Sequence, residues 1–287
     1  MKTEPEAGGR VVSLEARAGL PLGVGEGGRL VFAGGLPEVT PQPRTLGEMR
    51  SVLYNQTASG PAVFYLMYRG LGWPADAESL AQDHLRLDVT VLAPGLVGGE
   101  YVKTSGHYHP LLPHPLLPHP LLPHPLLPHA TAAPRTYPEL YQVLSGRAHY
   151  LLQMPSPAGP PGAIADVVVV EAGPGDALYV PPGYGHVTIN PGPEPLVMLN
   201  IVEATFASEH GPYLQSHGAA YYEIEEQGRA YFVANGHYHD PPKPRLAPPT
   251  TLSALGLRDG VALYTQLARK PRDFAFLAHP LADGPVL

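Results

Sequence analysis

The sequence predicts an all-β protein, and three observations carry that reading. Short apolar and aromatic runs recur between Gly- and Pro-rich turns, the signature of strands at close intervals. The 287 residues include 37 prolines and 32 glycines, which suits short strands and tight turns better than long helices. Gly175-Asp-Ala-Leu-Tyr-Val-Pro181-Pro182-Gly183-Tyr184-Gly185-His186-Val-Thr-Ile-Asn190 reads as strand, Pro-Pro-Gly corner and strand, with His186 opening the second strand.

Taken in order, residues 1–45 form an N-terminal extension of Gly and Pro clusters around short apolar pieces such as 28–33, expected to be peripheral strands or loops. Leu46, Met49, Val52 and Leu53 have helical spacing behind a Thr45 cap. Strands are predicted over 62–68, 85–92, 100–104, 148–153, 165–171, 177–180 and 196–202, all within a barrel domain spanning 46–240. Pro241-Pro242-Lys243-Pro244 then marks a linker into a C-terminal extension, 241–287, with one short helix at 252–257 and one strand at 262–267.

Residues 110–129 are four consecutive copies of Pro-Leu-Leu-Pro-His. Two prolines in every five residues exclude a helix interior or a central strand and leave polyproline II. With about three residues per turn, successive histidines are rotated by about 240°, so His114, His119, His124 and His129 do not make a chelating row. The repeat reads as a tandem expansion tolerated in a loop between two strands, because closure cost grows only logarithmically with length.

Composition excludes several function classes. A net charge of −7 argues against a nucleic-acid surface, and it requires any site for an anionic substrate to be local. No run approaches the ~20 apolar residues of a membrane helix. The start has no apolar h-region, so a cytoplasmic protein is expected. The absence of cysteine leaves histidines and carboxylates as the strong metal ligands.

Those ligands have a pattern. In Thr104-Ser105-Gly106-His107-Tyr108-His109 the two histidines are two apart, so on a strand they share a face. Tyr137-Pro138-Glu139-Leu140-Tyr141 adds a carboxylate on another strand, with Tyr141 on the same face as Glu139. His107, His109, Glu139 and His186 together are a ligand set for one borderline divalent metal, with Fe, Mn, Zn and Ni open. Gly236-His237-Tyr238-His239 repeats the Gly-His-Tyr-His string, but no further Pro-x-Gly-x-x-His segment follows, and it reads as a surface loop.

Gly175 to Asn190 matches the second motif of the cupins at every fixed position, and His107, His109, Glu139 and Gly146 resemble the first. The leading glycine, Gly99, is slightly out of place, and the gap from His109 to Glu139 is far longer than usual. Among cupins, Val102-Lys-Thr-Ser-Gly-His-Tyr-His-Pro110 with Tyr137-Pro-Glu-Leu-Tyr141 and Tyr150-Leu-Leu-Gln153 resembles the cupin-type glucose-6-phosphate isomerases over roughly residues 50–240. The resemblance implies a single cupin barrel (a double-stranded β-helix, or jelly roll) with N- and C-terminal extensions. It also implies a homodimer that binds one divalent ion per subunit and acts on a sugar phosphate, with no nucleic-acid or membrane partner.

The resemblance further implies that Thr90, Thr104, the Gly106 amide and Tyr213 hold the phosphate. Tyr141 is a candidate hydrogen-bond partner of the sugar and His210 a candidate proton shuttle. Glu139 is placed to act as base as well as ligand, and both a proton transfer and a metal-assisted hydride shift stay open. Lys103, alternating with Thr104, is expected at the surface. The rival readings are a non-catalytic sugar- or metabolite-binding cupin and an iron-dependent cupin dioxygenase.

Overall fold

The computed structural model describes residues 10–112 and 136–280; the repeat beyond Leu112, with His114, His119, His124 and His129, lies outside them. Strands β1 (Val11–Ser13), β2 (Leu22–Gly25) and β3 (Leu30–Phe32) make a small sheet, with helix α1 (Glu15–Ala18) between the first two. β4 (Gln42–Thr45) runs into α2 (Leu46–Met49). Thr45 caps that helix as its position suggested: its hydroxyl oxygen accepts from Glu48 N while the Glu48 carboxylate accepts from Thr45 N. Next come β5 (Val63–Arg69), α3 (Ala77–Gln82), β6 (Leu85–Leu92), β7 (Leu96–Val97) and β8 (Glu100–Tyr101). After the repeat region stand β9 (Glu139–Ser145), β10 (Ala148–Pro155), β11 (Ile164–Ala172), β12 (Ala177–Val180), β13 (Gly185–Ile189) and β14 (Leu196–Glu203). Helix α4 (Gly211–Gln215), the hairpin β15 (Tyr221–Glu226) and β16 (Arg229–Ala234), β17 (Arg245–Ala247), α5 (Leu263–Arg269) and α6 (Ala275–Ala278) complete the chain.

Two sheets enclose the centre: six strands in the order β12-β9-β14-β6-β5-β4, and four in the order β13-β10-β11-β17. Phe64, Leu92, Val143 and Met198 of the first share a core with Tyr150, Leu152, Val168 and Val170 of the second. Hydrogen bonding does not run round a closed ring among the described residues, so the barrel is two facing sheets. The expected strand 100–104 is shortened to β8, which pairs with β7 and β15. Beyond it the chain lies along β13 through isolated bridges, Lys103 opposite Ile189 and His107 opposite His186.

The six-stranded sheet is apolar on its outer face, and its inner face is apolar in part and polar in part. Leu85, Leu87, Val89 and Val91 of β6 and Val197, Leu199 and Ile201 of β14 point outward. There they pack with Leu14, Ala18 and Leu20 from the N-terminal segment and with Leu263, Leu267, Phe274 and Leu277 from the C-terminal one. The intervening residues Arg86, Asp88, Thr90, Met198 and Asn200 face the interior, as the period of two requires.

The C-terminal segment corrects two expectations. Of residues 262–267, predicted as a strand, Ala262 is the N-cap of α5 and 263–267 lie within it, with Leu263, Tyr264 and Leu267 buried on one helical face. A short apolar run fits either period, and burial against the sheet decides it. The segment also holds two 3-10 turns, Leu252–Leu255 and Pro271–Phe274, and α6, where one helix was expected. The β15–β16 hairpin went unread, although Gln227 and Gly228, both at positive φ, form the two-residue turn such hairpins use.

His149 on β10 ties the inner sheet to β15, its Nδ1 lying 2.7 Å from Glu223 Oε1. Burial depresses its pKa, but the Glu223 carboxylate outweighs burial and raises it above the ordinary value. The stabilisation is therefore fully present below the unfolded pKa of about 6.5 and is lost as pH rises through the folded pKa. Thermal unfolding of wild type and His149→Gln should show a Tm gap that is widest below about pH 6.5 and narrows as pH rises above it. A gap independent of pH would disprove a charged imidazole.

Candidate active site

Four side chains converge where the sheets meet. His107 and His109 come from the extended segment before the repeat, His186 from β13 and Glu139 from the start of β9. Backbone bonds in both directions between His107 and His186 bring the two strands' histidines side by side, with ring centroids 4.4 Å apart. Tyr108, between the two ligands, turns the other way, and its hydroxyl oxygen accepts from Gln153 Nε2 at 2.7 Å. Gly185 makes that possible, because a Cβ there would lie 2.5 Å from the Tyr108 ring. Glu139 Oε2 is 3.1 Å from His109 Nε2, 3.3 Å from His186 Nε2 and 3.9 Å from His107 Nε2.

This arrangement fits a divalent cation. One ligand atom from each residue lies within 4.8 Å of every other. His109 Nδ1 donates to the Tyr137 carbonyl at 2.8 Å, which leaves its Nε2 lone pair facing the centre, as metal-binding imidazoles are usually oriented. His107 Nε2 is only 3.2 Å from that nitrogen, and Glu139 Oε2 is buried with no hydrogen-bond partner. Burial first, and then the neighbouring imidazoles, hold the His107 pKa well below its ordinary value, so the ring is neutral and able to ligate. Burial alone would raise the Glu139 pKa; the His109 and His186 imidazoles beside it override burial and hold the carboxyl well below its ordinary value. Three imidazole nitrogens and one carboxylate oxygen suit a borderline metal. Asn200 Nδ2 donates to Glu139 Oε1 at 2.7 Å, fixing which oxygen faces the histidines.

The cluster opens on a cavity of about 370 Å³. Its far wall is the inner face of the six-stranded sheet: Arg44 from β4, Tyr65 and Arg69 from β5, and Arg86, Asp88 and Thr90 from β6. Thr104, Ser105, Tyr141, Phe206 and His210 close the remaining sides.

A family model described as "Glucose-6-phosphate isomerase (GPI)" matches residues 46–115 and 128–239. The chain belongs to this family. Curated relatives include the glucose-6-phosphate isomerase of Thermococcus kodakarensis, 27% identical over 187 residues, 65% of this chain and 79% of that protein. That of Thermococcus litoralis is 27% identical over 198 residues, 67% of this chain and 84% of that protein. That of Thermococcus gammatolerans is 32% identical over 151 residues, 53% of this chain and 63% of that protein.

Measured against the roles that the family resemblance implied, Thr90, Thr104, Glu139, Tyr141 and His210 line the cavity with His107 and His109. His186 reaches the cluster from behind, its Nε2 3.0 Å from the Tyr141 hydroxyl. Gly106 contributes its carbonyl, which accepts from His210 Nδ1 at 2.8 Å. At φ +76° it takes a conformation favouring glycine, and a Cβ would meet the Tyr213 ring at 2.5 Å. Tyr213 itself does not line the cavity. It is wholly buried behind Gly106, in the core formed by Leu151, Val187 and Ala219.

Lys103 also departs from expectation. It is buried at 3% exposure, paired with Glu100 at 2.5 Å and lying 4.7 Å from the centre of the Tyr222 ring. Alternation turned it away from the cavity as predicted, but β15 covers that side. In the Gly-His-Tyr-His string at 236–239, His237 and His239 are exposed, while Tyr238 is buried and donates to the Gly218 carbonyl at 2.8 Å. Sequence reasoning missed Arg44, Arg69, Arg86, Asp88 and Asn200. Arg86, Asp88 and Thr90 share one face of a strand that was read correctly, so their alternation was a usable signal; Arg44 offered none.

Proposed function

We propose that the protein interconverts glucose 6-phosphate and fructose 6-phosphate at one divalent ion held by His107, His109, Glu139 and His186. The observation that carries this reading is a buried three-histidine, one-carboxylate cluster facing a polar cavity with a cationic far wall, in a chain of this family. Such a reaction moves hydrogen between C1 and C2 and rearranges protons on their oxygens. A bound divalent ion would supply the electrophile that stabilises charge developing on those oxygens.

The side chains divide the remaining work. His210 donates from Nδ1 to Gly106, so its Nε2 carries a free lone pair, and burial, reinforced by Arg44 and Arg69, keeps its pKa below the ordinary value despite that carbonyl. A neutral imidazole on the cavity wall is suited to carrying a proton between the two sugar oxygens. Tyr141 stays protonated because burial and the Glu139 charge push its pKa well up, and its hydroxyl is a hydrogen-bond donor at the cluster. Glu139 is a constrained base: one oxygen is held by Asn200 and the other faces the imidazoles. Thr90 and Thr104 provide neutral donors for the substrate's polar end.

The test is a coupled assay of fructose 6-phosphate conversion on protein loaded with Fe, Mn, Zn or Ni in turn, before and after chelation. Activity should disappear with the metal and return on reloading. Undiminished turnover in fully chelated protein would reject the metal-dependent mechanism. Absence of turnover with every metal would favour a binding protein, and oxygen consumption confined to the iron form would favour a dioxygenase.

A further inference from the structure

The family reading supplies neutral donors for the phosphate, yet a dianion entering a chain of net charge −7 calls for local positive charge. Three arginines line the cavity, and they are unequally committed. Arg86 is locked on Asp88 by contacts of 2.9–3.0 Å and also donates to the Ala204 carbonyl. Arg69 shares Asp88 at 3.4 Å and reaches Gln42 at 3.3 Å. Arg44 has only a 3.4 Å contact with Glu48, whose side chain is 48% exposed and whose other oxygen is already engaged by Thr45. Its Nε is buried with no hydrogen-bond partner among the described residues. A desolvated, charged donor without an acceptor is costly, and an incoming anion would relieve it.

Its position agrees. Arg44 is the cross-strand neighbour of Tyr65, whose hydroxyl lies 3.3 Å from Ser105 Oγ. Ser105 Oγ is in turn 3.4 Å from His210 Nδ1, and the His210 and His107 rings are 5.4 Å apart. The sheet edge carrying Arg44 is thus linked by successive contacts to the ligand cluster.

We infer that Arg44 is the cationic anchor for the phosphate group of the substrate, its guanidinium donating to the phosphate oxygens at the cavity end away from the metal ligands. The inference rests on the sugar-phosphate reading for its ligand and on Arg44's unpaired donor for its place. A planar guanidinium suits phosphate recognition by paired hydrogen bonds, which lysine does not reproduce.

The experiment compares full-length, metal-loaded wild type with Arg44→Met and Arg44→Lys. It measures inorganic phosphate binding by calorimetry, kcat and KM for fructose 6-phosphate, and metal content by elemental analysis. Arg44→Met should weaken phosphate binding and raise KM by about tenfold or more, the range for hydrogen bonds to charged groups, with metal content unchanged. Arg44→Lys should recover part of the loss, and it carries the test if Arg44→Met does not fold: its phosphate Kd must then lie above that of wild type. An unchanged phosphate Kd in a folded, metal-loaded variant would overturn the inference, as would a wild type that binds no phosphate. If wild type bound phosphate through Arg44 yet turned over no sugar phosphate, the anchor would stand and the isomerase reading would fall.

Discussion

Replacing His186 with alanine is expected to remove bound metal and isomerase activity together. The side chain is almost fully buried, its Nε2 lies 3.3 Å from Glu139 Oε2, and no other imidazole can take its place from β13. The pairing of β13 with the His107 segment is made by backbone atoms, so the substitution spares the strand geometry. Metal that binds only the folded state stabilises it by mass action. Wild type should therefore gain Tm on metal addition, and His186→Ala should gain far less. Elemental analysis, the metal-dependent Tm shift and the coupled assay give three readouts. Full activity in a preparation shown to be metal-free would sink the site as drawn.

Glu139→Gln should lower kcat by about 10²-fold or more, the usual scale for loss of a general base. The structure adds a reason beyond the lost charge. Asn200 donates to one Glu139 oxygen while the other faces three imidazoles, so a glutamine must turn its NH2 towards either Asn200 or the ligand cluster. Metal content separates the two causes. A variant that keeps its metal but loses turnover points to Glu139 as proton carrier, and one that loses both points to a ligand role. Substrate labelled at C2 completes the test. Label washed out to solvent supports proton transfer, whereas transfer to C1 without washout supports a hydride shift and leaves Glu139 no part as a base.

Much of this site was legible because its ligands obey local rules. His107 and His109 are two apart, and Pro181-Pro182-Gly183 forces the corner that presents His186. Long alternating segments were equally readable: β6 occupies 85–92 and β12 occupies 177–180, as their patterns indicated. What escaped depended on distant packing. The run 262–267 became a helix because its apolar side meets the outer face of a sheet formed some sixty residues and more earlier. Tyr213 was placed at the phosphate only through its resemblance to a family segment, and its ring fills the space left by the absent Cβ of Gly106. Arg44 carries no motif, and its meaning comes from the sheet order that sets β4 beside β5 at the cavity rim.

The outer face of the six-stranded sheet has a consequence for biosynthesis. Leu87, Val89, Leu199 and Ile201 are covered partly by residues 263–277, which leave the ribosome last among the described segments. Until then a nascent chain can pair its central strands, yet a broad patch of leucine, valine and isoleucine remains open to water. Intermediates with such patches are prone to associate, the more so when the closing contacts are remote in sequence. Expression of the enzyme should thus be sensitive to translation pace and chaperone supply, and refolding from denaturant should give its best yield at low protein concentration.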